Sequence, residues 1–430
     1  MEIKTYKYPD RMEWESLQQR PEMDVSSLFD TVRTVLDDVK AHGDEAVRRY
    51  GERFDKVLIN NLQVTTDEIN EAENILSGEL KKSINVALRN IEKFHTSQRF
   101  EMQNVETMPG VVCRQKAVAI DKVGLYIPGG TAPLFSTVLM LAVPARIAGC
   151  REIVLCTPPD KEGKIHPAIL HTAKVAGVNK IFKIGGIQAV AAMSYGTESV
   201  PQVYKIFGPG NQYVVAAKQL VSLKDVAIDM PAGPSEVEII ADKQANAAYI
   251  AADFLSQAEH GADSQSILVT TSESLAESVK NEICLQLSKL SRRDYAEKSL
   301  SYSRIIILKN DDEMIDFTNQ YAPEHLIIQT ANYAELGEKV TNAGSVFLGP
   351  YTPESAGDYA SGTNHTLPTK GYAKMYSGVN LDSFIKKITF QEITKEGLEL
   401  LGPAIEIMAA NEQLDAHKNA VTVRLKSSAF

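Results

Sequence analysis

Residues 152–157, EIVLCT, belong to a series of short β-branched runs that extends from about residue 120 to residue 350. Helix-like segments separate the runs, whose other members are KIFKIGG (180–186), VYKIFG (203–208), EVEIIA (236–241), SILVTT (266–271), RIIILK (304–309), HLIIQT (325–330) and SVFLG (345–349). Strands that alternate with helices predict parallel sheets with crossover helices, so we expect an α/β protein. The number of runs favours two sheets over one.

Helical patterns lie on both sides of this region. From about residue 26 to residue 98, apolar residues recur at three- and four-residue steps, which predicts amphipathic helices. The tail from about residue 381 is expected to be helical again, with an interruption at Gly402-Pro403. Pro and Gly punctuate the segment DMPAGPS (229–235), so we expect a domain boundary there.

The composition restricts the class of protein. The chain has 430 residues and a formal net charge of −10, which predicts about three domains and argues against nucleic acid as a partner. Four widely spaced cysteines without a CxxC pair indicate a reduced, intracellular protein. The polar N-terminus lacks the apolar core of a signal peptide, and the longest apolar stretch is broken by Pro144 and Arg146. We therefore expect a cytoplasmic protein that does not bind a membrane.

Three glycine-rich turns each follow a strand-like run and precede a helix-like one. They are IPGGTAPL (127–134), IGGIQAV (184–190) and FGPGNQYV (207–214). Glycines at such junctions let backbone N–H groups approach a phosphate at a helix N-terminus. None completes the fingerprint GxGxxG, and a tight turn is enough to explain any one of them. Three together favour a ligand site at the carboxyl ends of the strands.

Four further blocks are rich in polar residues. They are SQAEHGADS (256–264), YAPEHLII (321–328), TPESAGDYASGTNHTLPT (352–369) and ANEQLDAHKNAV (410–421). In the first, Gln257 and His260 are three apart on a predicted helix, where they can offer a metal an oxygen and a nitrogen. In the second, Glu324 and His325 pair a carboxylate that could activate water with a base that titrates near neutrality. Taken alone, surface or capping chemistry explains the first pair, and a solvated turn explains the second.

The third and fourth blocks add acids and imidazoles. Glu354 and Asp358 would share a helix face, and His365 follows in an irregular loop. A solvated loop explains this block about equally well. Glu412 and His417 are five apart, so either a helix begins between them or they serve different subsites. No cysteine falls in any of these blocks, so a covalent thiol mechanism has no evident nucleophile.

Taken in order, these motifs resemble the histidinol dehydrogenase family. From about residue 30 to near the C-terminus, the chain contains YIPGG, GGIQA, GPGN, DMPAGPSE, SQAEHG, APEHL, ESAGDY, GTNHTLPT and EQLDAHKNAV. The resemblance implies a four-electron oxidation, the last steps of histidine biosynthesis. In it, L-histidinol and two NAD+ give L-histidine through an enzyme-held aldehyde.

The resemblance also implies roles for individual residues. One Zn2+ per subunit would be bound by Gln257, His260, Asp358 and His417. His325 matches the general base, and Glu324 matches the carboxylate that activates water on the aldehyde. The substrate would contact His325 and the four metal ligands, together with Ser235, Glu354, His365 and Glu412. The residues that match contacts to NAD+ are Tyr126, Gln188 and Asn211.

The fold that the resemblance implies consists of two incomplete Rossmann-like domains, with parallel sheets flanked by helices, and small N- and C-terminal helical segments. The expected parts are an N-terminal arm (1–25), a first domain (26–120 and 236–380), a second, NAD-contacting domain (121–235) and a C-terminal helical segment (381–430). The family also implies a homodimer whose C-terminal segment completes the partner's site. That would explain why Glu412 and His417 occur so late in the chain.

Three alternatives compete with this interpretation. A related dehydrogenase could oxidise another primary alcohol, such as a sulfonated diol, but Glu354 and Glu412 favour a cationic substrate. A zinc hydrolase could use Glu324 to activate metal-bound water, but the glycine-rich turns would then have no nucleotide to bind. A non-catalytic binding protein would be expected to lack some of the matched catalytic or metal-binding residues, and all of them are present.

Overall fold

Parallel sheets form the centre of the chain, as the alternation of strand and helix patterns predicts. The computed structural model describes residues 3–21, 25–129 and 132–426. Its strands are β1 (Lys4–Lys7), β2 (Asn104–Met108), β3 (Val111–Ala119), β4 (Lys122–Tyr126), β5 (Glu152–Thr157), β6 (Lys180–Lys183), β7 (Lys205–Phe207), β8 (Ala227–Ile228), β9 (Glu236–Ala241), β10 (Gln265–Thr270), β11 (Arg304–Ile307), β12 (His325–Gln329), β13 (Ser345–Leu348) and β14 (Ile385–Ile393).

The helices are α1 (Trp14–Leu17), α2 (Phe29–Tyr50), α3 (Thr66–Ile75), α4 (Gly78–Thr96), α5 (Phe135–Ala148), α6 (Pro167–Ala176), α7 (Gly186–Tyr195), α8 (Gln212–Ser222), α9 (Ala247–Ala258), α10 (Glu273–Leu287), α11 (Arg293–Leu300), α12 (Asp311–Tyr321), α13 (Tyr333–Glu338), α14 (Glu354–Tyr359), α15 (Lys395–Asn411) and α16 (Asp415–Lys426). Within the described ranges, no helix combines the length and the apolar character that crossing a bilayer requires.

The first parallel sheet has the strand order β6-β5-β4-β7-β8. From β4 the chain steps outward through β5 to β6, and then crosses back to β7 and β8 on the other side of β4. Counted along the chain, this is the order 3-2-1-4-5, which is the Rossmann arrangement without its sixth strand. In β5, every residue after Glu152 is buried, as expected for a strand covered by helices on both faces.

The second parallel sheet repeats this topology. Its order is β1-β11-β10-β9-β12-β13, so the strands from β9 onward again follow the succession 3-2-1-4-5. Strand β1, from the N-terminal arm, adds an edge next to β11. The predicted α/β class with two incomplete Rossmann-like sheets is therefore confirmed. The domain limits derived from the resemblance stay predictions.

The chain divides into two compact units. Met1–Gln98 and Asp121–Phe384 form the unit that contains both parallel sheets. Arg99–Ile120 and Ile385–Phe430 form the other, in which β3 pairs antiparallel with β2 and with β14.

The C-terminal tail differs from its prediction in two respects. It is helical from Lys395 onward, but Ile385–Ile393 is a strand because its backbone pairs with β3, a segment far away in the sequence. Helix α15 also continues through the Gly402-Pro403 step, where an interruption was expected. A Cβ on Gly402 would lie 2.8 Å from Leu425, so the glycine allows close packing between α15 and α16.

Candidate active site

A cavity of about 850 Å³ opens at the carboxyl ends of β4, β5, β6 and β7. Sheets of this topology bind ligands at that edge. Residues that follow each of these strands line it, among them Gly129, Pro158, Gly186 and Asn211. All three predicted glycine-rich turns therefore reach this cavity. Gly130 and Thr131 of the first turn lie outside the described residues.

The three residues predicted to contact NAD+ lie at this edge of the sheet. The Tyr126 hydroxyl accepts a hydrogen bond from the Gly186 N–H (3.1 Å), and the Asn211 side chain caps α8. Gln188 is fully buried and donates from Nε2 to Asp55 (3.2 Å). Its Oε1 has no hydrogen-bond partner among the described residues, which leaves a buried acceptor at this edge.

A second polar site lies on the second parallel sheet. It is at the amino ends of the neighbouring strands β9 and β12, whereas the cavity lies at the carboxyl ends of the first sheet's strands. His325 is the first residue of β12, and Glu236 is the first residue of β9. The Glu236 N–H donates to Oε2 of Glu324 (2.9 Å), and the Glu236 carbonyl accepts from Nδ1 of His325 (3.2 Å). One residue of the neighbouring strand therefore fixes both predicted catalytic side chains through its main chain.

The local sequence explains how Glu324 and His325 enter this position. Ala322 ends α12 in a left-handed conformation (φ 56°), and Pro323 then directs the chain into β12. Gly344 passes so close that a Cβ there would lie 2.5 Å from the Glu324 carbonyl oxygen. This crowding requires glycine and holds the backbone of the pair in place.

Because Nδ1 of His325 donates to a carbonyl, Nε2 is the ring atom that can carry a lone pair. Nε2 lies 3.7 Å from Oδ1 of Asp358 and has no hydrogen-bond partner among the described residues. The other oxygen of Asp358 lies 3.9 Å from Nε2 of His260. Asp358 is therefore placed between the two imidazoles.

Acid and imidazole side chains converge next to His325. His260, Glu354 and Asp358 each offer one ligand atom, and these atoms all lie within 4.8 Å of one another. Glu354 and Asp358 share a face of α14, as predicted, and Pro353 occupies the N-cap position of that helix. The helix that carries Gln257 ends at Ala258, so His260 follows in a turn in which its N–H bonds to the Gln257 carbonyl (3.2 Å).

Several polar groups in this site are buried without hydrogen-bond partners in the described part of the chain. The Gln257 side chain is fully buried, and neither of its polar atoms has a hydrogen-bond partner among the described residues. Glu354 is also fully buried, and neither of its carboxyl oxygens has a hydrogen-bond partner among the described residues. Buried polar groups are normally satisfied, so these atoms indicate a site shaped for a ligand.

Burial and mutual charge shift the acid–base properties of the site. Burial raises the pKa of Glu324 to about 7 and the pKa of Glu354 to about 8. Burial also acts to lower the pKa of His325, but the carboxylates around the ring outweigh it and hold that pKa well above its usual range. The site therefore retains protons near neutral pH.

His365 contacts this cluster, and Ser235 directly precedes Glu236 in the chain. His365 Nδ1 donates to the Asp358 carbonyl (2.9 Å), and its Nε2 is 3.2 Å from the hydroxyl of Thr137. Thr137 is in the first turn of α5, the helix that follows the cavity-lining residue Pro133. The Ser235 carbonyl accepts from the Gln265 N–H (3.1 Å), directly before β9.

Glu412 and His417 lie in the other compact unit. Glu412 is the residue that ends α15, and His417 is in α16, so a helix does begin between them. Both are exposed. Their predicted contribution to a partner's site stays a prediction.

Sequence reasoning overlooked two residues that the structure places at these sites, Glu236 and Asp55. Glu236 begins EVEIIA, and a glutamate in a strand buried on both faces is an unusual choice that could have drawn attention to it. Asp55 lies before the long loop that leads to α3, and it belongs to none of the sequence motifs. Burial raises its pKa to about 6.

Comparisons with known proteins show one consistent likeness. The sequence model of the histidinol dehydrogenase family matches residues 18–425. A relative from Bacteroides thetaiotaomicron named histidinol dehydrogenase is 68% identical over 425 residues, covering 99% of each chain. A chloroplastic histidinol dehydrogenase from Arabidopsis thaliana is 53% identical over 415 residues, covering 96% of this chain and 89% of the relative. The crystal structure of histidinol dehydrogenase from Elizabethkingia anophelis has a TM-score of 0.97 at 54% identity, covering 99% of this chain and 98% of that chain.

Proposed function

The chain belongs to the histidinol dehydrogenase family, and from this premise we propose that it oxidises L-histidinol to L-histidine in two NAD+-dependent steps at a zinc site. One observation carries the proposal. The pair Glu324–His325 lies directly beside the cluster of His260, Glu354 and Asp358. A water-activating carboxylate, a base and a group of metal-binding side chains are the parts that two successive oxidations at one carbon need.

The side chains present fit a zinc ion. Imidazole and carboxylate are common zinc ligands, and His260 and Asp358 supply them. Gln257 would add a buried oxygen that has no hydrogen-bond partner in the described ranges, and the fourth ligand would be His417 of a second subunit. When bound, the zinc would hold the amino and imidazole nitrogens of the substrate and so fix its orientation.

The cavity at the first sheet fits a dinucleotide. Its volume of about 850 Å³ is in the range of cofactor pockets, and the buried acceptor of Gln188 lies at the same sheet edge. NAD+ would accept the hydride in each step. The chain would bind two NAD+ in succession for every histidinol oxidised.

His325 would act as the base through Nε2, the ring atom without a partner in the described part of the chain. Engaging Asp358 as a ligand would withdraw one carboxylate that supports the protonated ring, and so shift His325 towards the neutral form that a base requires. Glu324 would take a proton from water as that water attacks the aldehyde. The Glu236 N–H holds the carboxylate in place for this step.

Charge favours histidinol over an anionic alcohol. Glu354 is fully buried, and its two oxygens have no partner among the described residues. A cationic amine or imidazole would satisfy this carboxyl, whereas a sulfonate would be repelled by it. The alternative of a sulfonated diol as substrate is therefore disfavoured.

A homodimer and a cytoplasmic location also belong to the proposal. A second copy of the chain would provide His417 and Glu412 to the site. The thiols of Cys113, Cys150, Cys156 and Cys284 are all free, which supports a reducing compartment.

The substrate assignment can be tested with Glu354→Gln. We expect the wild type to reduce NAD+ with L-histidinol and not with a sulfonated diol. We expect the variant to lose about tenfold or more in kcat/KM for histidinol, because it removes the carboxyl group that would ionise beside the bound substrate cation. The exposed Glu338→Gln is the matched control and should keep the wild-type value. Oxidation of the sulfonated diol in preference to histidinol would contradict the proposal.

A further inference from the structure

Arg20 belongs to the N-terminal arm. Its hydrogen bonds go to Glu236, Tyr321 and Ala322, and none goes to the side chain of Glu324 or His325. Its guanidinium binds the Glu236 carboxylate with two nitrogens, Nε to Oε2 and Nη2 to Oε1, the second bond at 2.8 Å. The Arg20 side chain is only 14% exposed and that of Glu236 only 2%. A bidentate, desolvated pair of this kind fixes geometry as well as charge.

The same guanidinium also holds the turn that leads into β12. Nη2 donates to the carbonyls of Tyr321 (2.7 Å) and Ala322 (3.3 Å), at the C-terminus of α12. These carbonyls have lost their helical partners, and a cation at a helix C-terminus is favoured by the helix dipole. The guanidinium also lies 3.7 Å from the centre of the Tyr321 ring, a cation–π contact.

Arg20 therefore joins the two backbone segments that define the catalytic pair. On one side it fixes Glu236, whose main chain bonds to Glu324 (2.9 Å) and His325 (3.2 Å). On the other side it fixes Tyr321 and Ala322, directly before that pair in the chain.

The arm is anchored at two residues that precede Arg20 in the chain. The Gln19 carbonyl accepts from Nε2 of Gln265 (3.1 Å), and Gln265 Oε1 accepts from the Tyr321 hydroxyl (2.8 Å). Trp14, in α1, packs edge-on against Phe317 of α12 at 5.5 Å. The part of the arm that precedes Arg20 is thus attached to Gln265 of β10 and to Phe317 of α12.

We propose that Arg20 is a positioning residue for the oxidation, one that sets the placement of Glu324 and His325 through the main chain of Glu236 and the carbonyls of the preceding turn. The inference rests on the proposed function. It assigns a role in the active site to the N-terminal arm.

The two catalytic side chains depend on Arg20 to different extents. Within the described residues, His325 has further neighbours in the carboxylates of Glu354 and Asp358, at 3.9 and 3.7 Å. The one hydrogen bond found there for the Glu324 carboxylate comes from the Glu236 N–H. Loss of Arg20 should therefore displace Glu324 more than His325, and the aldehyde step should be slowed more than the alcohol step.

The test compares Arg20→Lys with wild type in the zinc-loaded, full-length enzyme. Lysine keeps the charge, but its three donors on one nitrogen cannot reproduce the bidentate carboxylate contact together with both carbonyl contacts. We expect oxidation of histidinaldehyde to fall by about tenfold or more, and oxidation of histidinol to the aldehyde to fall less. The NADH yield per histidinol should then drop below two as free aldehyde accumulates.

Arg11→Lys is the matched control. Arg11 is in the same arm and pairs with Asp316 of α12 (2.5 Å), but both side chains are at least half-exposed and lie outside the site. This variant should keep both rates and the NADH yield. Thermal unfolding of all variants separates a loss of folded protein from a change in the ratio of the two rates.

A folded Arg20→Lys enzyme with the wild-type ratio of aldehyde to alcohol oxidation would overturn the inference, even if its unfolding temperature falls. If that variant does not fold, Glu236→Gln serves instead, because it keeps the main chain and one hydrogen bond to Arg20. It should show the same bias against the aldehyde step to a smaller extent, and an unchanged ratio would again overturn the inference. Absence of NADH from wild type and histidinol would instead refute the proposed function, so the two failures are distinguishable.

Discussion

Replacing Glu324 with glutamine should stabilise the metal-free protein above neutral pH while it impairs the aldehyde step. Burial raises the pKa of Glu324 from 4.5 to about 7, so the folded protein disfavours the ionised carboxylate. This difference corresponds to about 3 kcal/mol as an upper bound. Glutamine has a similar shape, and its carbonyl can still accept from the Glu236 N–H.

The pH dependence follows from the direction of the pKa shift. Burial favours the neutral form of the Glu324 carboxyl in the folded protein. The contribution of this neutral carboxyl to the free energy of unfolding is fully present below pH 4.5. It is lost as the pH rises through about 7, because the wild type must then ionise a buried group. Glutamine has no such loss, so the stability gain from Glu324→Gln should appear only on the alkaline side.

Unfolding of the chelated protein by denaturant at about pH 5 and about pH 8.5 measures this difference. We expect similar stabilities at the lower pH, and at the higher pH a gain of up to about 3 kcal/mol for the variant. Exposed Glu338→Gln should stay within about 0.5 kcal/mol at both values. In the zinc-loaded enzyme, aldehyde oxidation should fall by roughly 10²- to 10⁴-fold. A variant that is destabilised equally at both pH values would refute the reasoning.

Two further substitutions test other parts of the site. His325→Ala should abolish both hydride transfers because it removes Nε2 as the proton acceptor, and NADH formation from histidinol and from its aldehyde measures each step. Near-normal turnover with histidinol would show that the base is another residue. Asn211→Ala should raise the KM for NAD+ with little change in the KM for histidinol, and loss of the α8 cap should cost about 1 kcal/mol in unfolding experiments. An unchanged KM for NAD+ would remove Asn211 from the cofactor site.

Periodic sequence patterns predicted the two parallel sheets well. The eight apolar runs all contain strands, because a strand that helices cover on both faces is apolar along most of its length. Strand β14 escaped detection because its pairing with β3 joins segments that lie far apart in the chain. Short strands such as β8 (Ala227–Ile228) have too few residues to form a pattern.

The composition of the active site was easier to predict than its geometry. Motif spacing correctly suggested that Glu354 and Asp358 share a face, and a helix that begins between Glu412 and His417 was one of two alternatives that the spacing left open. No spacing rule shows that Glu236 supports Glu324, since the contact arises from the pairing of β9 with β12. The site also lies at the amino ends of the strands, whereas the general rule for such sheets indicates the carboxyl ends.

The most direct test of the central claim is the yield of NADH from limiting L-histidinol, with and without a zinc chelator. We predict two NADH per histidinol, a loss of this activity on chelation, and its recovery when zinc is returned. One NADH per histidinol would contradict the claim that Glu324 and His325 complete the second oxidation at the same site. No NADH from the zinc-loaded protein would contradict histidinol as its substrate.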